Sequence, residues 1–160
     1  MNGIHRLSLL AITAALSLFA VGCEDPDNCL EGSLGSVYDL SFDTVQARQA
    51  LTSRQLAIEY VRTQGTGEEK PIMVTIMPTP DGPGTFTFQD RNVSIDNSLA
   101  SGALLPELTS AEVDLNAFTP AEDAEGEGTS VRGAIHAQFT NAGNTYTLEG
   151  CFKTTLEIVP

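Results

Sequence analysis

From Val131 to the last residues, apolar and polar side chains exchange places at nearly every second position, and the pattern breaks once, at Asn141-Ala142-Gly143-Asn144. Val131, Ile135, Ala137 and Phe139 alternate with Arg132, His136 and Gln138. On the return, Tyr146, Leu148, Phe152, Leu156 and Ile158 share one face, and Thr147, Glu149, Cys151, Lys153 and Glu157 share the other. A period of two suits a strand with one buried face and cannot serve a helix. The break supplies turn residues, and Gly143 takes a positive φ at little cost. These residues therefore predict a long antiparallel hairpin, with Cys151 pointing away from its apolar face.

The same period recurs upstream. In Gly35 to Asp43, Tyr38, Leu40 and Phe42 oppose Val37 and Asp39, which predicts a half-buried strand. Thr44 to Arg62 reads two ways. Leu56, Ile58 and Tyr60 alternate with Ala57, Glu59 and Val61, yet Ala47, Leu51, Arg54, Ile58 and Val61 also fit a helical stripe. Two strands, Val45 to Leu51 and Gln55 to Thr63 around a turn at Thr52-Ser53-Arg54, are preferred over one helix because the flanking segments are strand-like.

Pro71 suits the start of a strand over Ile72 to Met77. Thr85 to Gln89 and Asn92 to Asp96 read as a hairpin across Asp90-Arg91, with Phe86, Phe88, Val93 and Ile95 inward. Residues Asn97 to Ser110 lack a period, and a strand over Ala111 to Phe118 is followed by a polar loop from Thr119 to Thr129. About eight short strands separated by turn residues imply an all-β domain, a small antiparallel sandwich or barrel.

The amino-terminal 23 residues follow a different rule. Met1 to Arg6 carries one firm positive charge, and Leu7 to Cys23 is uncharged and rich in leucine and alanine. The run is interrupted by Ser8, Thr13 and Ser17 and falls short of the about 20 apolar residues a spanning helix needs. It ends in Ala20-Val21-Gly22-Cys23, which resembles the lipobox of a bacterial lipoprotein signal peptide, although Ala20 stands where leucine is usual. The resemblance implies removal of residues 1–22, a lipid on Cys23, an acidic tether over residues 23–28 and one domain over residues 29–160. An ordinary secretory cleavage site, with no lipid, is the alternative reading.

That resemblance organises the cysteines. The chain has three, Cys23, Cys29 and Cys151, and an exported protein with an odd thiol needs an explanation. A lipid on Cys23 leaves an even pair in an oxidising compartment, so a Cys29–Cys151 disulfide is expected. It clips the start of the domain over its last strand, and the termini are expected near each other.

Removing residues 1–22 takes Arg6 and no acidic residue, so a formal charge of −13 becomes −14. A field of that sign repels phosphate backbones, and no Lys/Arg cluster overrides it, so nucleic acid is not a partner on this reading. The expected partners are a lipid membrane, through acylated Cys23, and an envelope protein.

Little in the sequence carries chemistry. His136 is the one histidine left after processing and lies on a polar strand face without another histidine or a free thiol beside it, which argues against zinc. No Gly-x-Ser-x-Gly elbow and no phosphate-cradling glycine loop is present. Glu122, Asp123, Glu125 and Glu127, in a loop with Gly126 and Gly128, offer oxygen ligands for calcium, but their spacing departs from that of a calcium-binding loop. A solvated loop is the simpler reading. No cofactor is implied. The expectation is a lipid-anchored protein of the bacterial envelope with a non-enzymatic binding or structural domain; the alternatives are a small envelope hydrolase and a calcium-dependent adhesion or ligand-binding module.

Overall fold

The computed structural model describes residues 27–121 and 129–160. The described strands are β1 (Cys29–Glu31), β2 (Thr44–Ala50), β3 (Gln55–Gln64), β4 (Gly67–Ile76), β5 (Gly84–Thr87), β6 (Val93–Ser98), β7 (Glu107–Ala117), β8 (Ser130–Asn141) and β9 (Asn144–Val159), with a single 3-10 turn at Ser33–Ser36. Eight of them form one curled, nearly closed sheet in the order β5-β7-β8-β9-β2-β3-β4-β6, and β1 pairs with β9 beside that path. The expected all-β, barrel-like fold is the fold observed.

The carboxy-terminal hairpin follows its pattern closely. β8 and β9 pair without a break from Asn141↔Asn144 to Ser130↔Thr155. Ala142 and Gly143 both have positive φ, 49° and 82°, as a two-residue hairpin loop of the primed type requires. The ambiguous segment is two strands, since β2 and β3 pair from Ala50↔Gln55 to Thr44↔Val61.

One pairing breaks the antiparallel rule. β2 runs parallel to β9, with Ala47 opposite Leu156 and Ala50 opposite Val159, whereas every other pair is antiparallel. Counting directions outward from this parallel step leaves β5 and β6, the two ends of the sheet, running the same way. Strands that run the same way cannot form a hairpin with each other.

The hairpin expected between Thr85–Gln89 and Asn92–Asp96 is therefore absent. β5 pairs with β7, Thr87 opposite Glu112, and β6 pairs with β4, Val93 opposite Ile76. Residues 88–92 form the kink at which one run of chain changes partner, held by Arg91 N–H donating to Phe88 O at 2.9 Å. Val93 and Ile95 face inward as expected, but Phe88 lies in the kink and is exposed.

The strand expected over Gly35 to Asp43 is also absent. Its expected inward face is partly buried all the same, while Val37 on the other face is exposed. Leu34 is fully buried, Tyr38, Leu40 and Phe42 pack on the core, and the Phe42 ring meets the Tyr60 ring edge-on at 5.0 Å. The backbone instead closes on itself, with Val37 and Tyr38 N–H both donating to Leu34 O. The free side of β9 is paired with β1 at residues 149–151 and with β2 at residues 156–159. Just beyond β1 the chain enters the 3-10 turn, and Thr147 N–H donates to Ser33 Oγ at 2.8 Å instead of to a further strand.

β4 begins at Gly67, and Pro71 sits inside it rather than at its start. The ladder to β6 steps from Lys70↔Ser98 to Met73↔Asp96, and the ladder to β3 steps from Glu69 to Ile72, so Pro71 lies where both neighbours skip. A residue with no N–H is tolerated at such an irregularity. β7 likewise starts earlier than expected, at Glu107, which shortens the irregular crossing before it.

The interior is filled by side chains, among them Leu56, Ile58, Tyr60, Ile135, Phe139 and Phe152, all under 2% exposed. Tyr60 adds a polar tie, its hydroxyl donating to Cys151 O across the interior at 2.8 Å. Tyr60→Phe is expected to cost about 1 kcal/mol in a urea titration, the net worth of one buried hydrogen bond. Burial raises the Tyr60 phenol well above its ordinary 10.0. The fold thus favours the neutral phenol, and its stabilisation is intact below pH 10 and is lost as pH rises from there toward the folded value. Tyr60→Phe should flatten that alkaline loss; an unchanged pH profile above 10 would exclude this assignment.

Candidate functional site

Two places on the outer wall bring together residues singled out in the sequence. The first is the root of the tether. Cys29 lies directly opposite Cys151 in the β1–β9 ladder, and the two form a disulfide with Cα atoms 4.8 Å apart, within the ordinary range. Cys151 takes the outward position because Gly150 and Phe152, its neighbours along β9, face the core. One step further, Asn28 Oδ1 accepts from Lys153 N at 2.7 Å, and Lys153 Nζ lies 3.1 Å from Asp27 Oδ1. The chain is thus held to β9 from Asp27 onward. Cys23 lies outside the described residues.

The second is a shallow depression of about 260 Å³ over β7, β8 and β9. Strand register sets its floor as two rows. Glu112, His136 and Glu149 face one another across three strands, and Ser110, Gln138 and Thr147 form the next row. His136 Nδ1 contacts Glu149 Oε2, and both side chains are about half exposed. A hydrolase reading asks for a serine on the opposite ring nitrogen; among the described residues the His136 hydrogen bond runs to Glu149, and Ser110 stands diagonal to it. The site can offer hydrogen bonds and negative charge to a ligand.

Glu122, Asp123, Glu125 and Glu127 lie outside the described residues, so the calcium expectation falls there too. The residue before them is anchored: the Gln49 side chain donates to Ala121 O at 2.7 Å and accepts from Ala121 N at 2.8 Å. Among the described residues, no group of three or more His, Cys, Asp or Glu side chains is placed to hold a metal.

Sequence reasoning missed the ionic surface of β2, β3 and β4. Glu59 points outward yet is 5% exposed, because Lys70 Nζ reaches its Oε1 at 2.7 Å and Arg48 Nη1 lies 3.3 Å from its Oε2. Arg48 continues to Glu157 at 2.8 Å. Arg62 joins Glu69 to Asp39 in the same manner. Hydrogen bonds from the Ser41 backbone and hydroxyl, followed by Arg62, hold the Asp39 carboxyl below its ordinary value. Outward positions on β2 and β3 could be read from the alternation, but which cation meets which carboxylate depends on strand order.

The chain matches no family model, no curated protein and no solved structure.

Proposed function

We propose that this chain is a bacterial envelope lipoprotein, anchored through a lipid on Cys23, whose barrel-like domain has a non-enzymatic binding or structural role. The observation that carries this reading is the Cys29–Cys151 disulfide. It accounts for two of the three cysteines, which leaves Cys23 as the residue at the end of the apolar leader to be explained. A disulfide also suits an oxidising compartment. The three residues between Cys23 and Asp27 leave little slack, so the domain is held beside the surface that takes the lipid.

Metabolic labelling with a fatty-acid analogue tests the anchor. The wild-type chain is expected to take the label and to partition with envelopes, and Cys23→Ser is expected to do neither. Label incorporation that survives Cys23→Ser would sink the proposal. Cross-linking in intact cells then identifies the envelope partner. Hydrolysis of a simple ester by the purified domain, abolished by His136→Ala, would replace the non-enzymatic reading with the hydrolase.

A further inference from the structure

The outer wall around the tether root carries a consequence for how the domain meets a membrane. We propose that the domain lies side-on against the lipid headgroups, with the wall of β8, β9 and β1 facing them, rather than standing on either end of the barrel. This rests on the lipid anchor at Cys23.

The argument is one of lengths. The chain is fixed to β9 at Lys153 through Asp27 and Asn28. From Asp27 back to Cys23 is four residues, a reach of at most about 14 Å at 3.3 to 3.6 Å per residue. Along β9, Lys153 lies six residues before Val159 and nine after Asn144. At about 3.3 Å per residue these are roughly 20 Å and 30 Å. A typical barrel tilt near 40° reduces them to about 15 Å and 23 Å along the axis.

The hairpin-tip end is out of reach by a wide margin. At the other end the strand ends lie at about the limit of the fully extended tether, and the turn at residues 51–54 extends past Ala50, which pairs with Val159. Standing on that end therefore demands a fully stretched tether with turns pressed into the headgroups. Lying on the side demands neither.

The chemistry of the wall permits it. Arg132 stands directly opposite Lys153, two cations on neighbouring strands within a strongly acidic protein. Thr155 and Ser130 lie in the next step of the ladder, and both are exposed. Glu31, Glu149 and Glu157 lie on the same side of the sheet, so the wall is mixed in charge. The short tether imposes the orientation, and electrostatic attraction does not.

The test uses the full lipidated mature chain in nanodiscs that contain a gadolinium-chelating headgroup lipid, with backbone amide relaxation read by NMR. Failure to co-purify with nanodiscs removes the lipid anchor itself and is read before any orientation. In the bound protein, amides of residues 29–31, 130–134 and 151–155 should relax several-fold faster than those of β4 and β6. Fastest relaxation at residues 51–54, or at residues 141–143, overturns the side-on arrangement, as does uniform relaxation throughout. A fifteen-residue Gly-Ser insertion after Cys23 keeps the anchor and removes the length limit. The contrast should then collapse toward uniformity; a contrast that persists shows that surface affinity, and not tether length, sets the orientation.

Discussion

Replacing Cys29 and Cys151 together with serine is expected to lower the unfolding free energy by about 4 to 5 kcal/mol, the largest effect of any change confined to two outward-facing atoms. The bridge spans a sequence separation of 122, so in the unfolded chain it closes nearly the whole domain into a loop. Loop-closure entropy grows only slowly with length, but a loop this long lies near the top of the range, at roughly 4.7 kcal/mol for a loop of about a hundred residues. Little else can substitute. β1 is three residues long, the exposed Asp27–Lys153 pair is worth at most about 1 kcal/mol, and the Asn28 bond to Lys153 N adds about as much.

The loss should have a local signature as well. Amides of residues 29–31 should exchange freely in the double variant, while β8 and β9, paired over twelve residues, keep their protection. A urea titration and a hydrogen-exchange map check the two halves separately. A destabilisation under about 1 kcal/mol would mean that the reduced unfolded chain is already compact, and the entropic account of the clip would fail.

Gly133→Ala is expected to be the most damaging single substitution in the sheet, at about 3 kcal/mol or more. Gly133 pairs with Leu115 on one side and Phe152 on the other. A Cβ there would stand 2.1 Å from Asp114 O and 2.5 Å from Phe152 Cζ. The ring can be displaced by a change of χ1, but the carbonyl belongs to the β7 ladder and moves only if β7 separates from β8. Gly150→Ala is the useful comparison, because its Cβ would meet only side-chain atoms, at 3.1 to 3.3 Å from Tyr60, Ile135 and Leu30. Gly150→Ala should therefore cost less, and Phe152→Leu should rescue Gly133→Ala only in part. Thermal melts of the four proteins decide the matter; full rescue would show that the ring, and not the backbone, is the obstacle.

The carboxy-terminal hairpin was legible because its evidence is local. Alternation names the buried face, and Asn141 to Asn144 names the turn, so register follows from residues that are neighbours in the chain. The Cys29–Cys151 pair was legible through a different route, from the lipobox resemblance and the parity of three cysteines. At Gly35 to Asp43 the same alternation misled. It reported that Tyr38, Leu40 and Phe42 are apolar on one side, which is true, but it holds no information on whether a strand edge is free to receive them. The depression around His136 was half legible: its outward direction could be read from β8, but the Glu112 and Glu149 beside it come from two other strands.

The residues alone determined that this domain is built from strands, which side of most of them is buried, where the long hairpin turns and which cysteines pair. Only the tertiary structure decided that β2 runs parallel to β9, and with it that β5 and β6 serve opposite edges of the sheet instead of each other. The division has a physical cause. A side chain reports the face it occupies, because burial is written in its chemistry. The edge of a strand presents the same N–H and C=O groups whatever its sequence, so the choice of neighbour is left to the packing of the whole sheet.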